Sequence, residues 1–149
     1  MSPAARLILL PGRIAPALLF ALATLLAVPA VAHDPAANHV VMQVSDADPA
    51  KWNLALNNAR NLQADLGTRN VEIEIVAYGP GIAMLKMDST VAGRLDEAIA
   101  SGIKVAACEN TMKAQKLTRA DMLPNLEYVQ AGVTEIMKKQ QQGWAYIRP

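Results

Sequence analysis

The sequence has little of the residue chemistry on which many protein sites depend. Its 149 residues include one cysteine and two histidines. A structural zinc site needs several Cys or His ligands at short spacing, and no such group is present. Nucleophilic catalysis of the cysteine-protease type needs a histidine base beside the cysteine. His39 begins a predicted strand, at the opposite end from Cys108, which argues against a Cys–His pair.

The sequence also lacks a large excess of positive or negative charge, and it lacks nucleotide-binding motifs. The formal net charge is only +1, whereas nucleic acids and anionic membranes call for a clustered basic surface. We therefore expect neither as a partner. The sequence Gly79-Pro80-Gly81 has neither the Walker lysine nor the G-x-G-x-x-G spacing, so it is not a nucleotide loop. The sequence predicts no metal and no organic cofactor.

The first 32 residues have the pattern of a secretory signal peptide. Arg6 and Arg13 precede the apolar segment Ile14–Val28, and Ala30-Val31-Ala32 forms a small-x-small cleavage signal. The apolar segment is short for a membrane span, although an uncleaved N-terminal anchor is the alternative. Removal of 1–32 would change the formal charge to about −1. We predict a periplasmic protein with a single domain over 33–149.

Helical and strand patterns alternate along this domain. The predicted strands are His39–Ser45, Val71–Tyr78, Ile103–Cys108, Leu126–Gln130 and Trp144–Arg148. The predicted helices are Pro49–Leu66, Ile82–Met87, Val91–Ser101, Glu109–Lys116 and Gly132–Gln142. Strands that alternate with helices predict a three-layer α/β/α fold with a five-stranded, mostly parallel sheet, whose strand order the pattern leaves open. In the last helix, we expect Val133, Ile136 and Met137 to face the core.

Polar residues follow three of the predicted strands. The carboxyl ends of parallel strands share one edge of a sheet, where ligands gather. Cys108 lies at one of these ends, where a helix dipole favours its thiolate and the charge of Glu109 opposes it. The candidates to bind a small anionic substrate beside it are Gln43, Tyr78, Gly79, Gly81, Asn110 and Thr111. The alternatives are that these residues only form caps and turns, and that Cys108 is a buried apolar residue.

Other features suggest contacts rather than chemistry. Asn57 and Asn61 share a helix face and could bind loops, line a subunit contact or meet solvent. The Glu72/Glu74 face and the ending Trp144–Tyr146 are candidates for contacts between subunits. Copper binding by His33 and His39 is a further hypothesis, supported only by two imidazoles near the new N-terminus.

Several segments together resemble the small exported branch of the DsrE/DsrF-like family. They are Gln43 in HVVMQVS, Asn57-Asn58-Ala59-Arg60-Asn61, Val76-Ala77-Tyr78-Gly79-Pro80-Gly81, Ala107-Cys108-Glu109-Asn110-Thr111 and Gly143-Trp144-Ala145-Tyr146-Ile147-Arg148-Pro149. The resemblance implies a five-stranded α/β/α fold and homo-oligomers, often trimers or hexamers. It also implies sulfur relay, in which a cysteine matching Cys108 carries sulfane sulfur as a persulfide between donor and acceptor proteins. Relatives often have histidine in place of Tyr78.

Two hypotheses about function follow. In the first, a periplasmic DsrE-like protein binds or transfers sulfane sulfur through Cys108, as a sulfurtransferase or a sulfur carrier. In the second, the protein is a non-catalytic oligomeric module that uses the same strand ends to bind a small ligand or to assemble. Replacement of Cys108 by serine separates the two, because only the first hypothesis requires the thiol.

Overall fold

The computed structural model describes residues 38–149, which form a five-stranded sheet with helices on both faces. The strands are β1 (Asn38–Val44), β2 (Val71–Ala77), β3 (Lys104–Cys108), β4 (Glu127–Val129) and β5 (Ala145–Ile147). The helices are α1 (Pro49–Leu66), α2 (Ala92–Ala100), α3 (Glu109–Ala114) and α4 (Gly132–Gln141). This confirms the predicted α/β class. The signal-peptide prediction lies outside the described residues.

The strand order is β4-β3-β2-β1-β5, and all four neighbouring pairs are parallel. The chain moves across the sheet in one direction from β1 to β4 and then returns to the far edge as β5. Because parallel crossovers are right-handed, the reversal sends the last helix to the opposite face. Accordingly, within residues 38–149, α1, α2 and α3 pack on one face and α4 alone packs on the other.

The larger core lies beneath α1, α2 and α3. Alternate residues of the strands point into it, as the period of two requires. From α1 the core receives Trp52, Ala55, Leu56 and Ala59, whose spacing of three and four residues places them on one face of the helix. Asp48 caps this helix, since its Oδ1 accepts a hydrogen bond from the Ala50 N–H at 2.9 Å. The helix ends at Gly67, which has a φ of 87°, a backbone conformation that would strain a residue with a side chain.

The face beneath α4 has a much smaller core. Ile136 packs there on Val41, Val76 and Ala106. The prediction that Val133 and Met137 also face inward was wrong, since they are 63% and 49% exposed. One helix lying across five strands can bury only a narrow stripe of its own surface, which explains the error.

The two glutamates of β2 behave differently from each other, contrary to the prediction of a shared open face. Glu74 is buried under α4, where its Oε2 lies 2.6 Å from Lys139 Nζ. Glu72 is partly exposed and contacts Lys104 Nζ at 2.6 Å and His39 Nε2 at 3.7 Å. Only Glu72 therefore remains available to a partner.

Three boundaries also differ from the sequence-based predictions. The short helix expected over Ile82–Met87 is a 3₁₀ helix over Gly79–Leu85, begun by the φ of 55° at Gly79. Helix α3 ends two residues early, and Lys116 takes a φ of 56°. Helix α2 starts at Ala92 rather than at Val91, which is its N-cap. The N–H of Val91 donates a hydrogen bond to Ser89 Oγ at 3.3 Å.

The asparagines of α1 have a structural role in part. Asn57 Oδ1 accepts a hydrogen bond from Arg94 Nη2 of α2 at 2.7 Å, and Asn53 accepts a second one from the same guanidinium. These bonds join α1 to α2. Asn61, by contrast, is exposed. Within residues 38–149, no helix is both long and apolar enough to span a bilayer.

Candidate functional site at the carboxyl ends of the strands

A row of residues crosses the sheet at the carboxyl ends of its strands, on the face of α4. Cys108 is in register with Val129 of β4, and Tyr78 lies beside it, one residue beyond the Ala77–Ala107 pair. Ser45 lies beside Tyr78, one residue beyond the Val44–Ala77 pair. Gln43 and Tyr146 belong to the same face by alternation along β1 and β5. The sheet therefore brings together candidates that are far apart in the sequence.

Cys108 lies where the chain changes from one face of the sheet to the other. Helix α3 follows β3 on the first face, and α4 follows β4 on the opposite face. Such a switch point is where open α/β sheets bind ligands, because the outgoing connections diverge and leave a crevice. The position of Cys108 is thus the expected one for a ligand site in this topology.

The thiol of Cys108 is buried but well supplied with hydrogen-bond donors. The residue is 5% exposed, and burial raises the pKa of its thiol. Hydrogen bonds from the Thr111 hydroxyl and from the N–H groups of Gly132, Thr111 and Asn110 act in the opposite direction. These bonds outweigh burial and hold the pKa of Cys108 below its ordinary value. The environment therefore favours the thiolate, which is the nucleophilic form.

Thr111 connects the thiol to the turn after β2. Its Oγ1 accepts a hydrogen bond from the Gly79 N–H at 2.9 Å. Gln115, one helical turn later, donates through Nε2 to the Gly79 carbonyl oxygen at 3.2 Å. The two backbone polar groups of Gly79 are thus bonded to α3 and to the residue that follows it, and the hydroxyl proton of Thr111 remains free for Cys108.

The two glycines of the turn serve its shape rather than offering free N–H groups. The Gly79 N–H is used by Thr111, and the Gly81 N–H donates to the Tyr78 carbonyl oxygen at 3.1 Å. A side chain at Gly81 would meet the carbonyl oxygen of Val44 at 2.3 Å. Gly81 is therefore required by close packing of the turn against β1.

Asn110 is engaged with the loop after β4. Its N–H donates to the Gln130 carbonyl oxygen at 3.1 Å, and its Oδ1 accepts from Gln130 Nε2 at 2.8 Å. These bonds join the start of α3 to the loop that leads into α4. Asn110 therefore fixes the two helix starts around Cys108, and its side chain already has a partner.

Tyr78 separates Cys108 from the far side of the sheet. A side chain at Gly132 would meet Tyr78 Cβ at 3.0 Å and Tyr78 Cδ1 at 3.1 Å, so the first residue of α4 lies directly against this ring. Burial raises the pKa of Tyr78, and the neighbouring Tyr146 adds to that effect. The phenol therefore stays protonated and remains a hydrogen-bond donor.

Gln43 is the meeting point of β1 and β5. The Tyr146 hydroxyl donates to Gln43 Oε1, and Gln43 Nε2 donates to Ser45 Oγ at 3.1 Å. Arg148 follows β5, and its Nη2 lies 3.8 Å from Asp46 Oδ2. Tyr146 and Arg148 were not among the predicted site residues, because nothing in the sequence pattern shows that β5 pairs with β1.

The described side chains show no built metal site. No group of three or more His, Cys, Asp or Glu residues within 38–149 is arranged to hold a metal ion. His39 lies near the amino end of β1 and packs on Trp144, with 5.2 Å between ring centroids. It is therefore not a base for Cys108. His33 lies outside the described residues.

Comparison with known proteins agrees with this fold. The sequence model of the DsrE/DsrF-like family matches residues 38–149. A solved structure of MTH1491, a protein of unknown function from Methanobacterium thermoautotrophicum, is 38% identical with a TM-score of 0.72. That alignment covers 75% of this chain and 99% of the other. A search of curated proteins found no match.

Two more distant structures share the fold. BT1422, a conserved protein of unknown function from Bacteroides thetaiotaomicron, is 15% identical with a TM-score of 0.63, over 78% of this chain and 98% of the other. The ychN protein from E. coli is 12% identical with a TM-score of 0.59, over 75% and 99%. The match of the family model over the whole described region decides the family, whose fold is of the sulfur-relay type. This chain belongs to the DsrE/DsrF-like family.

Proposed function

We propose that the protein carries sulfane sulfur as a persulfide on Cys108. The observation that supports this most strongly is the set of hydrogen bonds that lowers the pKa of a buried thiol. A cysteine kept only for packing needs no donors aimed at its sulfur, and burial alone would make it inert. The Thr111 hydroxyl and nearby backbone N–H groups instead favour the reactive form.

The reaction needs no oxidant, reductant or metal. The Cys108 thiolate attacks the outer sulfur of a persulfide R–S–SH, the S–S bond of the donor breaks, and R–S⁻ leaves with the electron pair. The product is Cys108–S–SH. An acceptor thiolate then attacks the outer sulfur and releases the Cys108 thiolate, so the sulfur moves without net oxidation. The N–H donors at Cys108 can stabilise the anionic sulfur at each stage.

The location and assembly of the protein are parts of the same proposal. The signal-peptide pattern of residues 1–32 supports export to the periplasm. The exposed apolar side chains of α4 support homo-oligomers, trimers or hexamers by analogy with the family. Donor and acceptor proteins in that compartment are the other expected partners.

Mass spectrometry of the intact mature protein tests the proposal. We expect a gain of about 32 Da per sulfur after exposure to polysulfide, reversible by dithiothreitol, and no gain in Cys108→Ser. The serine variant should keep its fold, because it replaces only the sulfur atom. An unchanged mass in the wild-type protein, with a thiol that alkylates only after unfolding, would contradict the proposal and favour the non-catalytic binding module.

A further inference from the structure

A strip of polar side chains leads from Cys108 across the sheet to its last strand. The strip consists of Tyr78, Ser45, Gln43, Tyr146 and Arg148. By register and alternation, all five lie on the face of α4. Helix α4 packs on Val41, Val76 and Ala106 in the middle of this face. At the carboxyl ends of the strands, Tyr78, Ser45 and Gln43 are partly exposed and Tyr146 is 41% exposed.

Hydrogen bonds order the middle of the strip. The Tyr146 hydroxyl donates to Gln43 Oε1, and Gln43 Nε2 donates to Ser45 Oγ. Gln43 can therefore not rotate without breaking a bond at each end. This part of the surface is organised before any ligand binds, which lowers the entropic cost of binding.

The far end of the strip has an excess of positive charge. The Asp46 carboxylate faces two cations, Lys51 Nζ at 3.1 Å and Arg148 Nη2 at 3.8 Å. The side chain of Arg148 is 56% exposed, so its other guanidinium N–H groups remain open to an anion. Arg148 also lowers the pKa of Tyr78, against the larger effect of burial, so its field reaches the residue beside Cys108.

The spacing of the strands sets the length of a ligand that could use both ends. Cys108 is on β3 and Arg148 follows β5, three strands away. Strands lie about 4.8 Å apart, so the two backbones are roughly 14 Å apart, and the side chain of Arg148 spans part of that distance. A two-sulfur ion such as thiosulfate is too short to contact both. An organic molecule with its carboxylate several bonds from its sulfur is long enough.

We infer that the strip from Tyr78 to Arg148 binds the carboxylate-bearing end of an organic persulfide while its outer sulfur meets Cys108. This inference rests on the proposed sulfur transfer and names its donor class as a peptide-sized, carboxylate-bearing persulfide. The Tyr78 and Ser45 hydroxyls would contact the polar middle of the donor. Arg148 would pair with its carboxylate, as guanidinium groups do.

Rates of persulfide formation on Cys108 with two donors test the inference. Glutathione persulfide is the long donor and thiosulfate the short one, both followed by intact mass. We expect Arg148→Gln to slow transfer from glutathione persulfide about fivefold, the scale of one partly exposed ion pair, and to leave transfer from thiosulfate unchanged. Arg148→Lys should retain most of the rate. Arg69→Gln makes the same charge change in the turn before β2, at the opposite end of the sheet, and should alter neither rate.

Each other outcome has a separate meaning. Equal slowing with both donors would show general attraction of anions and overturn the inference about length. No effect of Arg148→Gln on either donor would overturn the inference and leave the proposed function intact. No sulfur uptake by the wild-type protein from either donor would refute the proposed function itself, and the inference with it.

Discussion

At the scale of single residues, Thr111 decides how strongly the fold favours the thiolate. Its one hydroxyl accepts from the Gly79 N–H and donates to Cys108, so the turn after β2 orients the proton toward the sulfur. A hydroxyl with no acceptor role could rotate away. The fixed peptide of Gly79 thereby acts on the cysteine through one intervening side chain.

Replacement of Thr111 by valine should raise the pKa of Cys108. Valine has nearly the same shape but cannot donate, and one hydrogen bond to a charged group contributes about 1.5 kcal/mol, or about one pKa unit. The profile of iodoacetamide alkylation against pH measures this shift. At pH values below the thiol pKa, the alkylation rate of the variant should fall about tenfold.

Thr111→Ser is the matched control, because it keeps the hydroxyl and loses only a methyl group. Its profile should stay close to that of the wild-type protein. If valine and serine shift the profile equally, packing of the methyl group is responsible and the hydroxyl has no special role.

At the scale of elements, an apolar contact and a buried ion pair help to hold α4 on the sheet. Ile136 supplies the first, and Lys139 with Glu74 supplies the second. Lys139 also lies over the ring of Trp144, 4.1 Å from its centroid. Removing one charge of a buried pair is costly, since the other remains without compensation.

Lys139→Met should lower the free energy of unfolding by about 3 kcal/mol at neutral pH. Denaturant unfolding measures this, and Lys138→Met, on the exposed side of the same helix, should change it little. The double variant Glu74→Leu/Lys139→Met should recover most of the loss, because it leaves no buried charge. A single variant as stable as the wild type would show that water reaches Glu74.

The direction in which pH changes the stability of these variants follows from the pKa of Glu74. Burial raises the pKa of Glu74 above the ordinary 4.5, although Lys139 opposes the effect. The native state therefore binds this proton more tightly than the unfolded state, and the stabilisation present below pH 4.5 is lost as pH rises through the raised pKa. The defect of Lys139→Met should accordingly shrink in acid, where Glu74 can be neutral.

The elements show where sequence reasoning succeeds and where it fails. Local signals predicted α1, because a helix depends on near neighbours such as its Asp48 cap. The orientations of Val133 and Met137 were wrong, because they depend on how many helices share the face of α4. Glu74 looked exposed by alternation, and only a lysine 65 positions later explains its burial.

At the scale of the whole molecule, the two faces of the sheet are covered unequally. In the part of the chain that the structure describes, three helices cover one face and α4 alone covers the other. Among the described residues, the exposed apolar side chains of this second face are Val133, Met137 and Tyr146. Cys108 lies on the same face by alternation along β3, so any assembly through α4 would lie close to the site.

We expect the double change Val133→Glu/Met137→Glu to dissociate the proposed homo-oligomer. Both side chains point outward one turn apart, so charges there should disrupt association without unfolding the subunit. Light scattering after size exclusion measures the mass. Leu54→Glu, at a similarly exposed apolar position on α1, is the control and should keep the oligomer. A wild-type monomer would refute this assembly.

The topology of the sheet determines which residues of the candidate site could be predicted from the sequence. Cys108, Tyr78 and Thr111 could be predicted because each lies at the end of a strand or shortly after it, and strand ends are recognisable from local pattern. Arg148 and Tyr146 could not, since their proximity depends on β5 pairing with β1 rather than with β4. The pairing of β5 with β1 follows from the reversal of the chain after β4. This reversal cannot be recognised in any short segment of the sequence.

The contact between Gly132 and Tyr78 has a thermodynamic consequence. The first residue of α4 rests on the tyrosine ring, and the next residue, Val133, faces outward. A ligand that displaces the ring must also displace the start of the helix that presents this outer surface. Ligand affinity and subunit affinity would then be linked, and the linkage is reciprocal: whatever factor assembly applies to binding, binding applies to assembly.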